Sequence, residues 1–235
     1  MTSSTWEGPD WLESARELMG WLQAQPARNS VMLLLRHSHR EVLLDHEDML
    51  GGGLTELGKA TSIEVGRRIP TQRRVHFFFS IVPRCYETAD SMAAGFTEAG
   101  GKVVDMDPLP TLVGPEYTEQ SVWANLQPNG DNITEFVNRW ADGEFGAKIE
   151  PLSHYQNRIM EDTVRKLSQA SEPITHVHIT HDLGLMCAKR FFLGRGLVHR
   201  DREPYLGGIG VRITHGEVML FMDGQETELD PNMVC

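Results

Sequence analysis

Residues 31–35, Val-Met-Leu-Leu-Leu, form an unbroken apolar run that ends on Arg36 and His37. A strand with one wet face alternates apolar and polar side chains. This run does not alternate, so both of its faces must be covered. Such a strand belongs in a sheet with helices on either side, and the rest of the chain agrees. Apolar runs recur at 75–79 and 175–180, with a shorter candidate strand at 102–106. Helical spacing is read at 10–24 (Trp11, Ala15, Leu18, Met19, Leu22, with Asp10 as N-cap), at 55–69, 83–96, 152–169 and 182–193. A further helix follows Asp131, read as its cap, with Ile133, Phe136, Val137 and Trp140 on one face. Segments 208–214 and 217–222 read as a hairpin around His215-Gly216. Strands alternating with helices predict a three-layer α/β/α sandwich with a largely parallel central sheet. We expect one domain over 1–235, with 1–30 as an N-terminal helical extension. The Pro-, Gly- and Asn-rich stretch and helix at about 107–150 would be an insertion forming a cap.

Ligands of such sheets bind beyond the carboxyl ends of the strands. After the first run come Arg36, His37, Ser38, His39 and Arg40; after the second, Ser80 and Arg84; after the third, His181 and Asp182. Three strand ends therefore bring Arg and His to one rim. Phosphoryl transfer requires positive charge on the nonbridging oxygens, an in-line nucleophile and a proton for the leaving oxygen. Guanidinium forks suit the first task, a neutral imidazole the second and a carboxylic acid the third. Arg36, Arg40, Arg84, His37, His181 and a nearby Asp or Glu would supply every part without a metal or cofactor.

At these residues the chain resembles the histidine phosphatase superfamily, which has the phosphoglycerate-mutase-like fold. Leu33-Leu34-Leu35-Arg36-His37-Ser38-His39-Arg40 is similar to its strand plus Arg-His-Gly-x-Arg signature. Leu54-Thr55-x-x-Gly58 and Ser80-Ile81-Val82-Pro83-Arg84-Cys85-Tyr86-Glu87-Thr88-Ala89 resemble the blocks that follow, and Thr180-His181-Asp182 the late second histidine. The resemblance spans about 31–222. It implies a phosphatase that hydrolyses a small phosphomonoester through a phosphohistidine at His37. Arg36, Arg40 and Arg84 would hold the phosphate, and His181 would polarise it. The proton donor would be Asp182, as in the acid-phosphatase branch, or Glu116, as in the mutase-like branch. Ser38 departs from the usual Gly and is expected to put a hydroxyl in the pocket; Glu87 departs from Gln, outside the phosphate shell.

Other readings compete. A phosphomutase of the same fold would re-donate its phosphoryl group to substrate, and an inactive phosphate-binding module would keep the fold alone. His37, His39, His176, His178 and His181 could instead ligate a metal in a hydrolase. On a strand at 175–180, however, His176 and His178 share a face that His181 does not. We read them as strand residues hydrogen-bonded to neighbours, and His39 as lining the pocket mouth. Gly53-x-x-x-x-Gly58-Lys59 lacks the hydroxyl residue that completes a P-loop, since Ala60 follows. The 195–206 segment (Arg195, His199, Arg200, Arg202, Tyr205) is either a solvated loop or a contact for further anionic groups. Tyr117 and Trp123 either stack on a substrate ring or pack under the loop.

Composition narrows the partners. A formal charge of −11 argues against nucleic acid. No run approaches the length of a membrane span, and Glu7 and Asp10 occupy a start without a basic segment. Cys85, Cys187 and Cys235 are too scattered for a disulfide framework. The expected setting is cytoplasmic, the expected partner a small phosphorylated substrate.

Overall fold

A computed structural model describes residues 5–43, 50–214 and 217–230. Its strands are β1 (Ser30–Arg36), β2 (Arg74–Phe79), β3 (Val103–Pro108), β4 (Ile174–Thr180), β5 (Gly208–Thr214), β6 (Glu217–Met222) and β7 (Gln225–Leu229). They form one sheet in the order β3-β2-β4-β1-β5-β6-β7. The half β3-β2-β4-β1 is parallel, whereas β5, β6 and β7 each run antiparallel to the strand before them in that order. The sheet is thus mixed, with its parallel part at the strand ends singled out above. The expected turn at His215-Gly216, and Cys235, lie outside the described residues.

The helices are α1 (Glu13–Ala24), α2 (Glu56–Arg68), α3 (Pro83–Glu98), α4 (Ile133–Ala141), α5 (Leu152–Met160), α6 (Lys166–Ser168) and α7 (Asp182–Leu193). The unbroken apolar run of β1 divides between two cores. Val31, Leu33 and Leu35 pack with residues of α1, α2 and α3, while Met32 and Leu34 pack with residues of α4, α5 and α7. Every one of these five side chains is buried, which is what an apolar strand without alternation requires. β2 divides likewise, Phe77 to the first core and Phe78 to the second. α1 contributes Ala15, Leu18, Met19 and Leu22 to the first core, so it is built into this layer.

Several ends differ from expectation. Asp10 does not cap α1; it starts a short 3₁₀ turn (Asp10–Leu12) that leads into the helix. Asp131 does not cap α4 either, because its carboxylate pairs with Arg202. The helix expected at 152–169 is interrupted by a π turn at Glu161–Arg165, where the buried Thr163 hydroxyl donates to the Ile159 carbonyl. Thr55 does cap α2, its hydroxyl accepting from the Gly58 amide, and Pro83 opens α3.

Candidate active site

Strand register assembles the site. Arg36 of β1 lies opposite Thr180 of β4, and Phe79 of β2 opposite Ile179 of β4. Three neighbouring strands therefore stop at one level. The next residues continue the ladder: the His37 amide donates to the Thr180 carbonyl (2.9 Å) and the Ser80 amide to the Ile179 carbonyl (3.0 Å). His37, Ser80 and His181 emerge side by side from this edge, and Arg84 reaches them from the first turn of α3.

Arg84 holds the two histidines. Its Nε–H donates to His37 Nε2 (3.1 Å), and its Nη2–H group donates to His181 Nδ1 (3.0 Å). An arginine can only donate, so both imidazole nitrogens are acceptors. The His37 proton then sits on Nδ1, which donates to the Ser38 carbonyl (2.8 Å). The His181 proton sits on Nε2, which donates to Ser80 Oγ (2.9 Å). Burial pushes the pKa of His37 well below its usual value, and the positive charges of Arg84 and Arg36 add to this. Burial, Arg84, Arg36 and Arg40 do the same to His181. Both rings are neutral at neutral pH, and His37 Nε2 carries a lone pair.

Arg36 is fixed from three sides. One Nη1–H donates to the Glu203 carbonyl (3.0 Å), Nη2 pairs with Asp182 (3.2 Å), and the guanidinium lies 4.5 Å over the Tyr205 ring. Arg40 Nη1 donates to the Glu41 carbonyl (2.7 Å) and to Asn129 Oδ1 (3.3 Å). The Nε–H groups of Arg36 and Arg40 are buried and unpaired among the described residues. Buried donors of this kind are costly unless a ligand engages them.

His37, Arg40, Arg84, His181 and Asp182 line one cavity of about 290 Å³. Glu116 does not belong to it. Its amide is bonded to a Glu150 carboxylate oxygen, and it lines a separate cavity of about 900 Å³ beside Trp140 and Gln156. Asp182 also stands 3.7 Å from Arg202, and its carboxylate presses against Gly130. Gly130 has φ +71°, and a Cβ there would overlap Asp182 Oδ2, so this position requires glycine on two counts.

Other expectations are corrected here. The Ser38 hydroxyl turns away from the cavity: it donates to the Gly58 carbonyl (2.8 Å) and meets Thr61 Oγ1 (3.1 Å). His39 does not line the cavity but stacks on Trp11 (5.8 Å) beside Tyr205. His176 and His178 sit apart from His37, against Phe78 and His76. His178 stacks on Phe78 and His176 meets Phe78 and His76 edge to face; among the described residues neither ring nitrogen of His178, nor Nδ1 of His176, has a hydrogen-bond partner. Among the described residues, no group of three or more His, Cys, Asp or Glu is placed to hold a metal ion. Within the basic cluster Arg195 makes a two-pronged ion pair with the buried Asp201, and Arg202 pairs with Asp131. Glu87 accepts from the Leu54 amide (2.7 Å) and so fixes the entry to α2.

Residues that the sequence did not single out support this machinery. Asn129 bonds both the amide and the carbonyl of Leu43 as well as Arg40, tying the turn before α4 to the loop after β1. Its Pro128-Asn129-Gly130 context marks a turn but not this contact. The fully buried Lys189 pairs with Glu203 (2.7 Å), whose backbone carbonyl receives Arg36. Leu206, at φ +59°, donates its amide to the Arg36 carbonyl (3.2 Å). No local pattern announces these two.

The chain has the phosphoglycerate-mutase-like α/β fold in which histidine phosphatases are built. Among solved structures it is similar to Bacillus stearothermophilus YhfR, with 19% identity, coverage of 86% of this chain and 98% of that one, and a TM-score of 0.56. It is similar to a phosphoserine phosphatase from Entamoeba histolytica in complex with 3-phosphoglyceric acid (13%, 86% and 95%, TM-score 0.51). A phosphoglycerate mutase from Bacillus anthracis str. Sterne is likewise similar (14%, 88% and 96%, TM-score 0.50). At these identities the likeness establishes the fold. No family model and no curated protein matches the chain.

Proposed function

We propose that the protein is a phosphoric monoester hydrolase that works through a phosphohistidine at His37. The observation that carries this reading is the state of His37: buried, neutral, with its proton held on Nδ1 and its Nε2 lone pair facing Arg84. A substrate phosphate entering the cavity would draw the Arg84 N–H groups from the imidazoles onto its own oxygens, joined by Arg36 and Arg40. Nε2 is then free to attack phosphorus. The N–P bond forms as the ester P–O bond breaks, and the departing alkoxide takes a proton from Asp182. In the second half, water attacks phosphorus, its proton passes to Asp182, and the N–P bond breaks to release inorganic phosphate. His181 and the arginines stabilise the charge that gathers on the nonbridging oxygens in both steps. Water is the acceptor in this reading.

Replacing His37 with Ala should abolish hydrolysis of p-nitrophenyl phosphate while leaving the fold intact. Retained turnover in H37A would remove the nucleophile from this account.

A further inference from the structure

The cavity changes character away from His37. Its cationic side chains, Arg40 and Arg84, are all at the phosphate end among the described residues. The remaining wall is apolar and aromatic, built from Val113, Pro115, Tyr117, Trp123, Leu126 and Leu183. Its polar members, Gln120, Gln127 and Asn129, are uncharged. Nearby arginines are engaged elsewhere: Arg202 by Asp131, Asp182 and the Asn129 carbonyl, Arg190 by Asn138. Tyr117 and Trp123 meet edge to face at 5.2 Å and form a corner. Phe136 stacks on Trp123 (6.0 Å, 16° between planes) and is itself fully buried, so the corner is anchored to the second core. Tyr117 nevertheless stays 45% exposed. An aromatic corner left open beside a phosphate site has the make-up of a ligand wall.

We propose that the enzyme selects monoesters of uncharged, predominantly apolar alcohols that carry a ring, with Trp123 and Tyr117 as the selecting surface. This rests on the phosphatase reading above. A carboxylate on the organic part of the substrate would be desolvated against this wall without a cation to meet it. A ring would stack in the corner and displace water from apolar surface.

The test compares 2-phenylethyl phosphate with 3-phosphoglycerate. Both are primary alkyl monoesters, so the chemistry at phosphorus is alike and only the organic part differs. The wild-type kcat/KM should favour 2-phenylethyl phosphate roughly a hundredfold, the scale on which an unpaired buried charge is rejected. Trp123→Ala should lower that preference about tenfold, the scale of one aromatic contact, and Trp123→Phe should keep most of it. Gln127→Arg, at an exposed position on the rim, should raise kcat/KM for 3-phosphoglycerate about tenfold by supplying the missing cation. Equal or greater activity on 3-phosphoglycerate, with p-nitrophenyl phosphate still hydrolysed by the wild type, would overturn the selectivity alone. Failure to hydrolyse p-nitrophenyl phosphate at all would overturn the phosphatase reading and this inference with it.

Discussion

At the scale of single residues, the two carboxyl groups offered by the sequence separate cleanly in space. Asp182 follows His181 directly, lies beside Arg36 and lines the cavity, whereas Glu116 lies against Glu150 in the other cavity. A proton donor matters most when the leaving group is a poor one. Asp182→Asn should therefore lower kcat/KM for an alkyl phosphate by about 10²–10⁴-fold. It should affect p-nitrophenyl phosphate far less, since that leaving group departs without help. Glu116→Gln should leave the alkyl ester within about twofold of wild type, the scale of a surface change. The opposite pattern would return the role to Glu116. Arg36, His37 and His181 were legible in the sequence because they stand at the ends of strand-like runs, and Arg40 and Arg84 because each lies five residues past one. Asn129, Lys189 and Leu206 were not, because their partners lie 86, 14 and 170 positions away or answer to backbone geometry.

Among the elements, register does the most. β1, β2 and β4 end at one level because Arg36 pairs with Thr180 and Phe79 with Ile179, and a one-residue slip would turn every side chain to the other face. The three parallel strands carry this information in their composition. β7 does not: Gln-Glu-Thr-Glu-Leu is an exposed edge, readable only through the Asp223-Gly224 turn before it, where both residues have positive φ. α2 holds the loop after β1 from the other side. The Ser38 hydroxyl bonds the Gly58 carbonyl, and a Cβ on Gly58 would overlap the His39 carbonyl. Gly58→Ala must push α2 off that loop. We expect a loss of about 1–3 kcal/mol, the usual cost of overpacking, and at least a tenfold fall in kcat/KM on p-nitrophenyl phosphate. Wild-type kinetics in a stable G58A protein would show that this contact does not position His37.

The whole molecule concentrates neutral imidazole in its interior. His37, His176, His178 and His181 all have pKa values pushed down, first by burial and then by neighbouring positive groups; His176 falls to about 4. Unfolded, each would titrate near 6.5. Below that pH the unfolded chain binds more protons than the folded one, so stability is fully present above about 6.5 and is lost as pH falls towards the folded values. His176 alone contributes about 3 kcal/mol across 6.5 to 4. Urea midpoints should hold steady from pH 8 to 7 and fall steeply below 6.5. His178→Phe, which keeps the stack on Phe78, should flatten that fall; unchanged midpoints down to pH 5 would contradict the buried neutral state. The three-layer architecture was legible from the doubly buried strands. The mixed sheet was legible only in its hairpin, since pairing of β5 against β1 joins segments far apart in the chain.

The central claim is that His37 Nε2 takes the phosphoryl group. Rapid mixing with p-nitrophenyl phosphate, quenching in alkali and peptide mass spectrometry would test it most directly, because phosphohistidine survives base and is lost in acid. The account predicts an alkali-stable, acid-labile phosphoryl group on the peptide that contains His37, absent from H37A. A phosphoryl group on any other residue, or turnover without any phosphorylated enzyme, would contradict it.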